Sequence, residues 1–175
     1  MKILIAPVDC RLSRPSLETV SVYVGVGLGA LEPRIRVQKA ARFIGAKNSP
    51  IEAEVYFEYV QRFDPLAVAL VSSNIREENY DIWGQAWETE GLALARTYPS
   101  LSGRLKLRGI AQTIIHEIGH LAGIGHHRVK QYSIDDLLCP LMKDSDPRLT
   151  SIYPCTRCNA RLCAFRERYS RSHAA

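Results

Sequence analysis

Apolar and polar positions along this chain follow two rhythms, one of short apolar runs and one of helical repeats. Lys2 to Val8 is a short apolar run closed near Pro7, which predicts a buried first strand. Ser16, Glu18 and Thr19 then mark the start of a helix reaching towards Leu31. Inside it lie Gly25, Gly27 and Gly29, as expected where a helix packs closely on a sheet. Their spacing lacks the final gap of a dinucleotide-binding fingerprint, so that reading is set aside. Arg34 to Ala41 suits a second strand, and Pro50 ahead of Ile51 to Val60 suits a helix with proline in its first turn. Leu66 to Val71 is wholly apolar after Asp64-Pro65, the pattern of a central strand covered on both faces. Ile82 to Trp87 and Leu92 to Arg96 are two more strand segments, separated by the polar turn Glu88-Thr89-Glu90-Gly91. Arg104 to Leu121 has the length and period of a long helix, and Asn159 to Tyr169 reads as a shorter one. The order strand, helix, strand, helix, strand predicts a layered α/β fold.

Composition narrows this picture. At 175 residues the chain suits one compact unit, and 46% hydrophobic with 23% charged residues is too apolar for a disordered protein. The longest charge-free apolar stretch, Thr19 to Leu31, is interrupted by Ser21 and glycines and falls short of the roughly 20 residues of a membrane helix. Near the amino end, Pro7 and Asp9 break the apolar run before a signal-peptide core forms. The expected setting is therefore cytoplasmic, with no membrane partner. There, five cysteines point to metal binding before disulfides, and their odd number forbids full pairing. The net charge of +5 gathers in Arg157, Arg161, Arg166, Arg168 and Arg171. That pattern reads as a solvated helix face and weighs against a nucleic-acid partner.

The chemistry is concentrated in His116-Glu117-Ile118-Gly119-His120-Leu121-Ala122-Gly123-Ile124-Gly125-His126-His127. One helical turn separates His116 from His120, so both imidazoles face one way and can grip a single zinc ion beside Glu117. A left-handed residue at Gly123 would end the helix and swing His126 back to the same metal. Three neutral imidazoles leave zinc one open position for a water, whose pKa falls to roughly 7 in such sites. Glu117, not a ligand, would act as general base on that water and return the proton to a leaving amine. The pattern predicts a zinc-dependent peptidase. A two-zinc protein that binds a peptide or partner without turnover is the alternative.

This stretch resembles the metzincin zinc peptidases, and the cysteines that follow are similar to those of archaemetzincins. The resemblance implies a twisted mixed sheet with backing helices, an active-site helix below the sheet edge, and a small zinc-stapled C-terminal subdomain. It implies a catalytic subdomain over residues 1–126 and a C-terminal subdomain over 127–175. Met142 in Leu138-Cys139-Pro140-Leu141-Met142 would form the methionine turn under the imidazoles. Cys139, Cys155 and Cys158 match family cysteines and His127 stands where the family has another, so these four would hold a structural zinc. Cys163 is the alternative to His127 as fourth ligand. Cys10 is expected to be a buried thiol, and His173 to lie in a frayed tail. Asp81 to Ala86 resembles the segment leading into the family's upper edge strand. By that likeness Trp83, Gly84, Gln85 and Ala86 are candidate substrate-binding residues. For Trp83 and Trp87, packing in the core or at the rim is the preferred role. The cofactors implied are two zinc ions per chain, and the substrate a peptide or protein, with aminopeptidase-like action implied by resemblance alone.

Overall fold

The computed structural model describes residues 1–8, 10–41, 51–63, 66–71, 75–77, 80–97, 101–126, 138–141 and 151–172. Among them the order is β1 (Lys2–Pro7), α1 (Arg14–Gly27), β2 (Arg34–Val37), β3 (Ile51–Glu52), α2 (Ala53–Val60), β4 (Leu66–Val71), β5 (Ile75–Glu77), β6 (Tyr80–Ile82), β7 (Gly84–Trp87), β8 (Leu92–Arg96), α3 (Gly103–Leu121) and α4 (Thr156–Ser172). His127, Met142 and His173 lie outside the described residues.

A five-stranded sheet runs in the order β2-β1-β4-β8-β7. The first four strands are mutually parallel, and β7 closes one edge antiparallel to β8. The fold is the mixed α/β architecture expected from the element order. Alternation along each central strand decides what covers which face. Ile3 and Ile5 of β1, Leu66 and Val68 of β4, and Ala93 and Ala95 of β8 share a core with α1 and α3. Leu4 and Ala6, Ala67, and Leu92 and Leu94 face the other way, against Ala53, Tyr56 and Val60 of α2. A strand buried on both faces must be apolar throughout, which is why these segments read as uninterrupted runs. The outer strand β2 instead alternates, exposing Arg34 and Arg36 and half-burying Ile35 and Val37. The first core also takes in Cys139, Leu141, Cys155, Cys158 and Leu162, so the C-terminal segments are packed on the main body.

Five local expectations are corrected. The helix expected from Ile51 starts at Ala53, because Ile51–Glu52 pairs with β5 as strand β3. Helix α1 begins earlier than Ser16: Ser13 is its N-cap, its hydroxyl accepting the Ser16 N–H, with Pro15 in the first turn. A proline preset to helical φ and lacking an N–H suits that first turn better than an acidic start. The glycines of α1 do not lie flat on the sheet. Gly25 has only ordinary contact with Ile35, whereas a Cβ at Gly27 would overlap both Ile115 Cδ1 and the Ile152 carbonyl oxygen. Close approach is therefore demanded by α3 and by the chain leading into α4. Ile82 to Trp87 is not one strand; it breaks at Trp83, and β6 joins a separate three-stranded sheet of order β3-β5-β6. Cys10 is half-buried and not buried. Because the Gly27 contact includes backbone, Gly27→Ala should destabilise the fold by about 1–3 kcal/mol, the usual cost of overpacking. Urea unfolding of the variant beside Gly25→Ala, expected to be nearly neutral or mildly stabilising, checks this.

Candidate metal centre

Helix α3 carries the first candidate group. Its apolar residues Ile110, Ile114, Ile115 and Ile118 are buried against the sheet and α1, which fixes the helix rotation and turns His116 and His120 to one side. The helix then ends in a Schellman cap. Gly123, at φ 72°, donates its N–H to the His120 carbonyl at 2.7 Å, and Ile124 donates to the Gly119 carbonyl at 3.0 Å. A left-handed residue here favours glycine because a Cβ would be strained. The predicted reversal at Gly123 is present, and it returns the chain so that His126 meets the other two histidines.

The three Nε2 atoms form a nearly equilateral triangle. His116 to His126 is 3.0 Å, His120 to His116 3.1 Å, and His120 to His126 3.1 Å. On the far side of each of two rings stands a backbone carbonyl. His116 Nδ1 is 2.8 Å from the Pro140 oxygen and His120 Nδ1 is 2.9 Å from the Ile124 oxygen. A carbonyl only accepts, so both Nδ1 atoms carry a proton, and in the neutral ring Nε2 is then the acceptor that faces the triangle. Burial lowers the His116 pKa from the usual 6.5 to about 4, with His120 and His126 adding to the effect, so the ring is neutral near pH 7. Three imidazole nitrogens converging within 3.1 Å of one another are the arrangement that a shared cation would hold. Nitrogens about 2.0–2.1 Å from one zinc at tetrahedral angles would be about 3.3 Å apart, close to the observed triangle. The donor set fits a zinc ion, and the carbonyl partners are the outer support that ligating histidines usually have.

Glu117, next to His116 on α3, is 5% exposed. Burial raises its carboxyl pKa to about 8, since the charged form loses hydration. A nearby dication would act in the opposite direction and favour the carboxylate. What closes over Glu117 is the edge strand β7. A Cβ built on Gly84 would overlap Glu117 Oε1 and stand 2.7 Å from Cδ and 2.9 Å from Cγ. Of the four candidate substrate residues, Gly84 thus lies directly against the carboxylate. Trp83 just before β7 is 46% exposed, its ring 4.8 Å from the Arg96 guanidinium. Trp87, at the strand's end, packs on Phe57 with ring centroids 5.0 Å apart and belongs to the second core. Gln85 and Ala86 are half-buried in β7, paired with Leu94 and Ala93.

A second group gathers Cys139, Cys155 and Cys158, all buried, with their sulfurs within 4.8 Å of one another. Cys155 precedes the first turn of α4 and Cys158 lies within it, where the helix dipole favours thiolate over thiol. Cys139 Sγ accepts the Cys155 N–H at 3.4 Å. The hydrogen bond with Cys139, then burial, then the neighbouring sulfurs all push the Cys158 thiol up. Three thiols so placed ionise together only if a cation balances them, which is the chemistry of a structural zinc site. Cys163 is not brought into this cluster; it is one helical turn and more beyond Cys158, with its Sγ 4.0 Å from the Ala30 carbonyl. His127, expected as the fourth ligand, and Met142, expected as the methionine turn, lie outside the described residues.

The sequence placed the Leu138 to Met142 stretch under the imidazoles and Cys139 in the second group, but not the contacts of Pro140 and Leu141. Cys139-Pro140-Leu141 sits between the two groups: Pro140 supports His116, and a Cβ on Gly119 would overlap Leu141 Cδ2. The glycine inside the histidine motif was the available signal, since a position that tolerates many residues in a generic motif carries here the one with no side chain.

Among the described residues, no helix is long and apolar enough to cross a membrane. No protein-family model and no curated protein sequence matches the chain. Solved structures do. An archaemetzincin from Methanopyrus kandleri superposes with a TM-score of 0.75 at 19% identity, covering 95% of this chain and 96% of that one. A zinc-dependent peptidase from Methanocorpusculum labreanum gives 0.70 at 17% identity, over 93% of this chain and 100% of the other. An archaemetzincin from Archaeoglobus fulgidus, complexed with malonate, gives 0.67 at 16%, over 92% and 99%. The chain therefore has the archaemetzincin fold along nearly its whole length, with a three-histidine and a three-cysteine group as candidate metal sites within it.

Proposed function

We propose that this chain is a zinc-dependent peptidase of metzincin type. The observation that carries the reading is the triangle of histidine Nε2 atoms, with a backbone carbonyl accepting from Nδ1 behind two of the rings. His116, His120 and His126 hold the catalytic zinc. When bound, zinc supplies a Lewis acid for the scissile carbonyl and makes water acidic near neutral pH. Glu117 takes a proton from the attacking water and delivers it to the leaving amine. Its burial keeps bulk water from competing for that proton. Among the described residues strand β7 pairs with β8 alone, so the backbone of Gly84 to Trp87 offers its outer edge to an extended peptide. Pairing there would lay the substrate backbone beside Glu117, because Gly84 already touches that carboxylate.

Cys139, Cys155 and Cys158, with His127, form the structural zinc site. Residues 127–175 are the C-terminal subdomain that this metal staples to the catalytic part, residues 1–126. Clustered thiols of this kind suit the reducing cytoplasm. The substrate is a peptide, and an aminopeptidase-like action is the finer form of the proposal.

Metal analysis and a mixed peptide library test it. The purified chain is expected to hold two zinc ions, one lost in His116→Ala/His120→Ala and the other in Cys155→Ser/Cys158→Ser. Cleavage products should appear with the metal-loaded chain and vanish after chelation. Two bound zinc ions with no cleavage of any peptide would leave a binding protein without turnover and overturn the peptidase reading.

A further inference from the structure

Four consecutive residues, Leu138 to Leu141, are each anchored to a different part of the molecule. The Leu138 carbonyl accepts the Ser151 N–H at 2.7 Å. Cys139 Sγ accepts the Cys155 N–H and belongs to the cysteine group. The Pro140 carbonyl accepts from His116 Nδ1 at 2.8 Å. The Leu141 side chain, 1% exposed, fills the space left by the missing side chain of Gly119, the residue before His120. The two candidate metal groups are thus one peptide bond apart at this point: one residue places a sulfur in one site, and the next holds the tautomer of a ligand in the other.

From this arrangement we infer that Cys139-Pro140-Leu141 positions His116, so that filling the cysteine site tightens zinc at the histidine site. The inference rests on the two-metal reading above and adds a coupling between the sites. With a cation, Cys139 Sγ has a fixed place, and the Pro140 carbonyl is fixed with it. Three crowded thiols without a cation have no such common centre, and the Pro140 carbonyl is then held only by its neighbours. His116 would lose the acceptor that keeps its proton on Nδ1, and the ring would sample the tautomer with the proton on Nε2, which leaves no lone pair on the nitrogen facing the other two histidines. Leu141 on Gly119 is the second pin of the same segment, acting on the helix between the two ligands. Coupling of this kind is reciprocal: zinc at the histidines must strengthen metal at the cysteines by the same factor. Cys139 is a ligand in one site; Pro140 and Leu141 are positioning residues for the other.

The test measures zinc affinity at the histidine site by chelator competition, with cobalt substitution giving a separate spectrum for each site. In the wild-type chain, affinity at the histidines is compared with the cysteine site filled and after its metal is withdrawn with a thiol-reactive reagent. The expected loss is at least tenfold, the lower end of what disturbing an outer-shell partner costs. Leu141→Ala, which leaves every ligand in place, provides an arm that does not depend on keeping the metal-free cysteine site folded. It should retain metal at the cysteines and lose about five- to tenfold in affinity at the histidines, with nitrogen NMR showing a mixed His116 tautomer. Affinity at the histidines unchanged within twofold, in Leu141→Ala with its cysteine metal retained, would overturn the coupling while leaving both sites standing. A wild-type chain that binds metal at only one group would instead overturn the two-metal reading itself, and the coupling with it.

Discussion

Glu117→Gln is expected to lower kcat for peptide hydrolysis by about a thousandfold or more while leaving two zinc ions bound, since a positioned general base contributes roughly 10²–10⁴ in rate. Glutamine has the shape of the glutamate it replaces and keeps the packing under β7, but it cannot accept a proton. The substitution also removes a carboxyl whose ionisation burial opposes, its pKa standing at about 8 without metal. Thermal stability of the metal-free variant should therefore equal or exceed that of the parent near neutral pH. The sign follows from linkage. With the folded pKa raised, the unfolded chain gives up this proton first, so the parent loses stability as pH climbs from about 4.5 towards 8 and the glutamine variant does not. Retention of a tenth or more of the wild-type kcat, with zinc in place, would remove Glu117 from the chemistry.

The next largest effect is expected at a residue with no functional group. In Gly84→Ala the new methyl would occupy the position of Glu117 Oε1, so either the carboxylate turns away or β7 lifts from α3. A shift of about 1 Å in a catalytic group can cost on the order of a hundredfold in rate, and kcat should fall by that order. Zinc content should be unchanged, because the atoms nearest the substituted position belong to Glu117, which is not a ligand. The double variant Gly84→Ala/Glu117→Gln separates this account from simple damage to the strand. If the methyl acts through Glu117, the double variant is no slower than Glu117→Gln alone, whereas independent effects would multiply. A measured product of the two losses would show that Gly84 acts elsewhere.

Much of this molecule was legible in its sequence, and the reasons are local. β1, β4 and β8 are central strands, and centrality writes itself as unbroken apolar runs. The motif from His116 to His126 specifies its own geometry: a helical turn sets two ligands, and Gly123 reverses the chain to bring the third. The small sheet β3-β5-β6 was not legible. Its strands are two or three residues long, too short to establish a period of two, and β6 runs into β7 with only Trp83 between them. Nor did the glycine pattern in α1 say which neighbour required it. Gly27 faces Ile115 and Ile152, residues that lie far away in sequence and reach it only through the packing of α1 on α3.

The sequence by itself determined the layered α/β order, the three histidines with Glu117 among them, and the cysteines grouped downstream. Each depends on spacing within one or two turns of chain, where backbone geometry leaves few alternatives. Tertiary structure alone decided the relations between segments distant in sequence. It seated Gly84 on Glu117, excluded Cys163 from the cysteine cluster, and threaded Cys139-Pro140-Leu141 between the two groups. Those outcomes depend on how helices and strands approach one another to within a methyl group, a quantity fixed by the packing of the whole core and written in no single stretch of residues.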